Sequence, residues 1–178
     1  MSSINCQPAY QDFEKSAESS CLVPVYCTII SDLDTPLTLF AKIGAEESHS
    51  FLFESMEGGE KWGRYSFIGI DPLLTFASKE EVIDVESFKG DLSERVKLSG
   101  DPLETLKKIL EDFKAAENDA LPRFCGGAVG FLGYDMVRFM EELPDERQKL
   151  DFPDSSFMIP RIVLVHDSFK QSVTVVCW

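Results

Sequence analysis

The sequence predicts an α+β domain in which mostly antiparallel sheets carry a few packed helices. Short runs rich in β-branched and aromatic residues recur along the chain, for example at residues 161–166 and 172–177. Such runs are joined by short turn segments, which favours antiparallel pairing because parallel strands need long crossover connections. Only residues 101–113 show the three- and four-residue apolar spacing of a well-defined amphipathic helix. Strands therefore dominate, and helices pack against them.

Composition limits the possible partners. The chain has 178 residues, 44% of them apolar, and a net charge of −14 from 17 basic and 31 acidic side chains. This excess of acid disfavours nucleic acids and anionic membrane surfaces, which are bound by lysine and arginine. No apolar run approaches the roughly 18–20 residues that span a bilayer, and the N-terminus lacks a secretory pattern. We therefore expect a cytoplasmic protein with no nucleic-acid or membrane partner.

Cysteine and histidine usage argues against metal sites and nucleophilic catalysis. The five cysteines are odd in number, scattered and without a C-x-x-C pair, so we expect reduced thiols rather than a disulfide framework: Cys6, Cys21, Cys27, Cys125 and Cys177. The two histidines, His49 and His166, lack a second ligand three or four residues away. No Gly-x-Ser-x-Gly elbow is present. We expect neither a metal site nor a catalytic residue in this chain.

The N-terminal quarter predicts two helices and a strand. Residues 8–18 predict a short helix within an extension of residues 1–20, and residues 21–178 then form the domain. Residues 22–30 predict a strand, with Pro24 at an edge or at its start because proline cannot donate to the ladder. A second helix begins at Asp34 or Thr35 and ends at Gly44. We expect the two helices to bury these side chains: Tyr10, Phe13 and Ala17 in the first, and Leu37, Phe40 and Ala41 in the second.

The stretch FLFESMEGGEKWGRYSFIGIDP, residues 51–72, predicts a hairpin-like unit with an unusually polar connecting loop. Phe51–Phe53 is an apolar strand, Gly58-Gly59 forms the turn, and Arg64–Ile70 returns as a strand that stops at Asp71-Pro72. Two further short strands are predicted at residues 73–77 and 82–85, separated by a polar turn.

The middle of the chain predicts an exposed excursion followed by a helix. Residues 87–100 are polar without a clear period and indicate the excursion. Asp101 then caps a helix with Pro102 in its first position and Glu104 in its third. The helix should end near Glu117-Asn118, and its apolar stripe comprises Leu103, Leu106, Ile109, Leu110 and Phe113.

The segment FCGGAVGFLGY, residues 124–134, is rich in glycine but matches neither the P-loop nor the Rossmann pattern. We expect its glycines to let another segment approach closely. Asp135 then caps a short helix to Glu142 and pairs with Arg138, and residues 145–160 form a loop. A hairpin of strands 161–166 and 172–177 follows, and we expect the natural polypeptide to continue beyond Trp178.

Glu54 and Ser55 stand at the end of an apolar strand, where they can bind an α-amino group. The carboxylate pairs with the ammonium and the hydroxyl adds a directed hydrogen bond. The alternative is structural: Glu54 makes a salt bridge and Ser55 caps the turn. Arg64 and Asp71 have the same alternative, because an arginine between strands often pairs with a carboxylate and Asp-Pro is a turn signal.

Two motifs resemble anthranilate synthase component I. They stand in the expected order, and the resemblance extends from about Leu22 to the end of the chain. The first motif comprises residues 51–55, 57–60, 63–66, 69 and 71–72, and the second comprises residues 126–135, Arg138, Glu141 and Leu143-Pro144. The resemblance implies an N-terminal regulatory domain, which is shared with component I of p-aminobenzoate synthase.

The resemblance also implies a function. It places Glu54 and Ser55 in a feedback site for L-tryptophan, with Lys61 or Arg64 as the basic residue of that site. It implies a lyase that makes anthranilate from chorismate, with Mg²⁺ bound in a C-terminal chorismate-binding domain and ammonia delivered by a glutamine amidotransferase subunit. This chain alone is then inactive. Two alternatives stay open: component I of aminodeoxychorismate synthase, whose family can hold tryptophan structurally, and a standalone amino-acid-binding module.

Overall fold

The computed structural model describes residues 5–54, 63–89, 92–144 and 151–178. Within these residues lie three α-helices and a 3₁₀-helix at Tyr134–Phe139: α1 (Tyr10–Ala17), α2 (Pro36–Ile43) and α3 (Pro102–Asp112). The same residues form eight strands: β1 (Val25–Ile30), β2 (Phe51–Phe53), β3 (Tyr65–Lys79), β4 (Val82–Lys89), β5 (Leu92–Ser99), β6 (Val129–Leu132), β7 (Ser155–Asp167) and β8 (Ser172–Cys177). The predicted α+β class with antiparallel strands is confirmed.

The strand order among the described residues is β1-β8-β7-β3-β4-β5, with β2 paired to β3 and β6 paired to β7. The chain divides into two compact units. The first unit comprises Met1–Asp71, Phe113–Gly127 and Pro160–Trp178, and the second comprises Pro72–Asp112 and Ala128–Ile159. The long strands β3 and β7 therefore contribute residues to both units, and each passes from one unit to the other at a proline.

The first unit buries one face of β3, β7 and β8 under a helix and a short strand. Ile68, Leu164 and Val173 form its buried cluster. Leu39 of α2 and Leu52 of β2 are among the partly buried side chains that pack against the cluster. Burying such aliphatic side chains contributes roughly 1.5–3 kcal/mol each. This packing fixes β2 against the beginning of β3.

The second unit is built on the consecutive antiparallel strands β3, β4 and β5, with β6 against β7. Phe76 and Ile83 are almost completely buried in its core. Ser78 and Ser155 are also buried, and their hydroxyls share a 2.7 Å hydrogen bond. This bond satisfies two polar groups that would otherwise carry a desolvation cost.

The predicted starts of α2 and α3 are confirmed. Asp101 accepts hydrogen bonds from the backbone N–H groups of Leu103 (2.8 Å) and Glu104 (3.3 Å). Thr35 caps α2 in a capping box with Thr38. Helix α3 ends at Asp112, earlier than predicted, because the chain beyond it pairs in extended form with the segment around Leu22.

Three strand predictions were wrong. Strand β3 does not stop at Asp71-Pro72 but continues to Lys79, because Asp71 adopts a left-handed conformation (φ 51°) and lets the strand bend there. The predicted excursion contains β5, an exposed strand held by pairing with β4. Strand β7 starts at Ser155, inside the predicted loop, because β6 pairs with its first residues.

Several helix details also differ. The 3₁₀-helix begins at Tyr134 with Gly133 as its N-cap and ends at Phe139, while Asp135 lies inside it and pairs with Arg138 at 3.0 Å. Tyr10, Ala17, Leu37 and Ala41 are exposed rather than buried. Helix α1 buries no residue, and α2 packs through Leu39 and the predicted Phe40. The predicted turn at residues 58–59 and the loop at residues 145–150 lie outside the described residues. In the part of the chain that the structure describes, no helix is both long and apolar enough to cross a membrane.

Candidate functional site

An open cavity of about 470 Å³ lies in the first unit, against the β2–β3 pair. Three phenylalanines, one leucine and one glutamate line it: Phe53, Phe67, Phe124, Leu52 and Glu54. This volume lies within the roughly 300–1,000 Å³ that is typical of small-molecule sites. An apolar cavity with one charged group at its wall is suited to a ligand that is apolar at one end and cationic at the other.

The strand register explains why phenylalanine rings face this cavity. Phe53 stands opposite Phe67, and Leu52 stands opposite Ile68. Opposed residues in an antiparallel pair point to the same side, and neighbouring residues along a strand point to opposite sides. Because Ile68 is buried in the core, Phe53 and Phe67 must project from the other face of the pair.

Phe124 reaches the cavity from a separate part of the chain. Its ring meets Phe67 edge-to-face, with centroids 4.8 Å apart and planes at 82°, a favoured aromatic geometry. The indole N–H of Trp178 donates a 2.7 Å hydrogen bond to the carbonyl of Cys125 and so fixes this segment. A Cβ at Gly126 would lie 2.6 Å from that indole nitrogen, so glycine permits the close approach.

The glycine prediction is therefore confirmed at three positions of the second motif. Gly126 admits the ring of Trp178, while Gly130 and Gly133 admit the backbone of Ser156 and Asp154 respectively. None of these contacts resembles a phosphate cradle. These glycines serve packing, and Gly126 does so next to the segment that carries Phe124.

Glu54 follows β2, lines the cavity and is exposed to solvent. A carboxylate can pair with an ammonium, and the faces of neighbouring aromatic rings also attract cations. Ser55 and Lys61, the next two residues of the predicted site, lie outside the described residues. Glu54 is thus the predicted site residue that the structure brings to the cavity.

Arg64 is held by a carboxylate instead. Its Nε donates to Asp167 Oδ1 at 3.0 Å and its Nη2 donates to Oδ2 at 2.6 Å, a two-pronged pair. The guanidinium also lies over the ring of Tyr65, 4.8 Å from the centroid. Arg64 does not line the cavity among the described residues, and the geometry is that of the structural alternative considered for it.

The Asp167 carboxyl has a lowered pKa. Burial of the side chain pulls the pKa upward, but the hydrogen bonds from Arg64 and from the backbone N–H groups of Lys170 and Phe169, with the charge of Arg64, outweigh burial. Asp167 thereby joins the start of β3 to the turn between β7 and β8.

This lowered pKa predicts a pH-dependent stability. A carboxyl whose folded-state pKa lies below its unfolded value, about 3.9, stabilises the fold above that pH and loses the contribution as the pH decreases further. We expect Asp167→Asn to lower the free energy of unfolding by about 1–2 kcal/mol at pH 7, and the difference to shrink toward pH 3. Urea titrations at both pH values measure it.

Asp151→Asn is the matched control. Asp151 likewise forms an ion pair, with Lys79, but its carboxylate is fully exposed. It should leave the urea midpoint nearly unchanged. A difference between wild type and Asp167→Asn that stayed constant from pH 7 to pH 3 would contradict the role of the Asp167 charge.

Asp71 also makes an ion pair within the first unit, with its Oδ2 3.1 Å from Arg161 Nε. This contact agrees with the structural role considered for Asp71. Among the described residues, no group of three or more histidine, cysteine, aspartate or glutamate side chains is arranged to hold a metal ion. The placement of Mg²⁺ in a further domain therefore stays a prediction.

The fold and the cavity together define a class: an antiparallel α+β domain with an open cavity lined by aromatic residues. No family model matches the chain. It is 38% identical over 170 residues to "Anthranilate synthase component 1" of Acetivibrio thermocellus, covering 95% of this chain and 34% of that protein. Identity to the Aquifex aeolicus protein of the same name is 31% over 178 residues, covering 97% and 35% respectively. Identity to the Cereibacter sphaeroides protein of the same name is 34% over 177 residues, covering 94% of this chain and 34% of that protein.

A solved structure, anthranilate synthase component I from Streptococcus pneumoniae TIGR4, is also similar, with 24% identity and a TM-score of 0.47. The match covers 82% of this chain and 30% of that one. The resemblance predicted from the two motifs is confirmed: this chain is homologous to a part of anthranilate synthase component I. It spans about a third of the length of the curated relatives it matches.

Proposed function

We propose that this chain is the N-terminal, tryptophan-sensing part of an anthranilate synthase component I. The observation that carries the proposal is the cavity walled by Phe53, Phe67 and Phe124 with the Glu54 carboxylate beside them. An indole ring packs on phenylalanine edges and faces, and an α-ammonium group pairs with the carboxylate. The sequence motif that contains Glu54 and Ser55 supports the same ligand.

The complete enzyme, in this proposal, is a cytoplasmic lyase of tryptophan biosynthesis that converts chorismate and ammonia to anthranilate and pyruvate. Ammonia comes from glutamine through the amidotransferase subunit. Chorismate and Mg²⁺ bind in the C-terminal domain, so we assign no catalytic residue to this chain and expect it to be inactive alone. The match of this chain to about a third of the length of curated anthranilate synthase component 1 proteins supports this division of labour.

Feedback inhibition requires tryptophan to favour one state of the enzyme over another. A ligand that binds two states equally leaves their populations unchanged. The free energy by which a ligand shifts the equilibrium between the states equals the difference between its two binding free energies. The cavity is open and Glu54 is exposed, so binding to this chain is expected to be weak unless the remainder of the enzyme helps to enclose the ligand. Tryptophan would then stabilise the state in which the site is enclosed.

The test uses the full-length subunit with chorismate, Mg²⁺ and ammonium, and follows anthranilate fluorescence with and without L-tryptophan. We expect tryptophan to suppress anthranilate formation in the wild type, and Ser55→Ala to weaken that suppression while leaving the uninhibited rate within about twofold. Loss of one hydrogen bond to a charged ligand group costs about 1.5–3 kcal/mol, so the half-inhibiting concentration should rise roughly tenfold or more.

Two other outcomes would contradict the proposal in different ways. Formation of aminodeoxychorismate without anthranilate would assign the protein to the folate branch and leave Glu54 and Ser55 as a structural pair. Tryptophan binding by a chain whose reading frame stops at Trp178, with no chorismate activity, would instead favour the standalone binding module.

A further inference from the structure

Cys6 and Cys27 stand directly opposite each other across two extended backbone segments. The backbone N–H of Gln7 donates to the carbonyl of Tyr26 at 2.8 Å, and the N–H of Tyr26 donates to the carbonyl of Gln7 at 2.7 Å. These two residues form an isolated antiparallel bridge. Because the bridge pair exchanges both hydrogen bonds, the next opposed pair, Cys6 and Cys27, is of the non-hydrogen-bonded kind.

Non-hydrogen-bonded pairs bring side chains closest together. Their Cα atoms lie about 4.5 Å apart, within the roughly 4.4–6.8 Å range over which a disulfide forms without moving the backbone. Both thiols are free. Burial, and secondly the neighbouring Cys6 thiol, raise the pKa of the Cys27 thiol. Cys6 is exposed, and Cys27 is half-buried.

We propose that Cys6 and Cys27 are a modification site that low-molecular-weight disulfides, such as oxidised glutathione, convert to a cystine. The exposed Cys6 thiolate attacks one sulfur of the small disulfide, breaks its S–S bond and releases one small thiol. The Cys27 thiolate then attacks Cys6 Sγ of the mixed disulfide and releases the second. Two protein thiols are oxidised, the small disulfide is reduced to two thiols, and these carry the two protons.

The structure also indicates what the bond does. The ring closed between Cys6 and Cys27 contains all of α1, a helix that buries none of its residues. Reduced, this segment is joined to β1 through the Gln7–Tyr26 bridge, and the cystine adds a covalent tie at the same point. Neither cysteine lines the aromatic cavity among the described residues, so this inference does not depend on the proposed tryptophan site.

The test is peptide mapping of the full chain carrying Cys21→Ser, with and without oxidised glutathione. Cys6 and Cys27 lie in separate tryptic peptides, residues 1–15 and 16–42, and the substitution removes the other cysteine of the second peptide. After free thiols are alkylated, we expect a linked pair of these peptides, lighter than their sum by two hydrogen atoms. The yield of the linked pair should increase as the pH rises past the raised pKa of the Cys27 thiol, because the thiolate is the attacking form.

Two further variants serve as controls. Cys27→Ser should abolish the linked pair and leave Cys6 carrying one glutathione. Cys177→Ser should leave the pair intact, although Cys177 lies on the strand next to Cys27. The inference is overturned if Cys6 and Cys27 are recovered as two separate glutathione adducts or as two alkylated thiols after oxidation, or if Cys6 is linked mainly to Cys177.

Discussion

Replacing Glu54 with glutamine should raise the tryptophan concentration needed for half-maximal inhibition of the enzyme about tenfold. The substitution keeps the size of the side chain and removes its charge, so the ammonium of the ligand loses its ionic partner. Hydrogen bonds to charged groups contribute about 1.5–3 kcal/mol, and exposure of Glu54 places it at the lower end. A change of 1.4 kcal/mol corresponds to about a factor of ten.

Inhibition curves for anthranilate formation measure this shift, with the uninhibited rate as the check that the enzyme is intact. Glu47→Gln is a suitable control because Glu47, which precedes β2, is likewise an exposed glutamate but does not line the cavity among the described residues. We expect that control to match the wild type. Equal inhibition constants for Glu54→Gln and the wild type would remove Glu54 from the tryptophan site.

The largest expected effect on stability is that of Gly130→Ala. Gly130 lies in β6 opposite Phe157, and a Cβ at this position would overlap the carbonyl oxygen of Ser156. The obstacle is backbone in the partner strand, which a rotamer change cannot move. Overpacking of this kind costs about 1–3 kcal/mol and occasionally more. Because separation of β6 from β7 would add to this cost, we expect the free energy of unfolding to decrease by about 3 kcal/mol or more.

Urea denaturation of the chain measures the loss, with Gly127→Ala as the matched control. Gly127 has a positive φ of 101°, but no atom lies within 4 Å of the place where a Cβ would stand, so alanine there meets backbone strain alone. That strain costs roughly 1–2 kcal/mol. Gly127→Ala should therefore be clearly the milder of the two substitutions, and equal losses would contradict the role assigned to the β6–β7 approach.

Local sequence signals predicted the elements whose ends carry capping residues, prolines or a polar turn. The Asp101-Pro102 pair marked the start of α3, and Thr35-Pro36 marked the start of α2. The hairpin of β7 and β8 followed from two β-branched runs around a polar turn. In each case the residues that specify the element lie within it or next to it, so sequence alone was sufficient.

Elements that depend on a distant partner were missed. Strand β5 has no apolar alternation strong enough to indicate a strand, and all its residues are exposed; it forms because Val96 and its neighbours pair with β4. The continuation of β3 through Asp71-Pro72 likewise required knowledge that Asp71 takes a left-handed conformation and pairs with Arg161.

The candidate site was predictable only in part. The strand end before Glu54 was anticipated, but the roles of Phe67 and Phe124 in the cavity were not, because they are brought together by folding. The alternation of Phe51 with Phe53, and of Tyr65 with Phe67, was a usable signal for one aromatic face. No signal in the sequence paired Arg64 with Asp167, which lies 103 residues further along the chain.

A crystal structure of the full-length subunit grown with L-tryptophan would decide whether the aromatic cavity is the tryptophan site. We expect the indole ring among Phe53, Phe67 and Phe124, with the α-ammonium nitrogen within hydrogen-bonding distance of the Glu54 carboxylate. Tryptophan bound elsewhere, or this cavity left empty at a tryptophan concentration that fully inhibits the enzyme, would contradict the proposal.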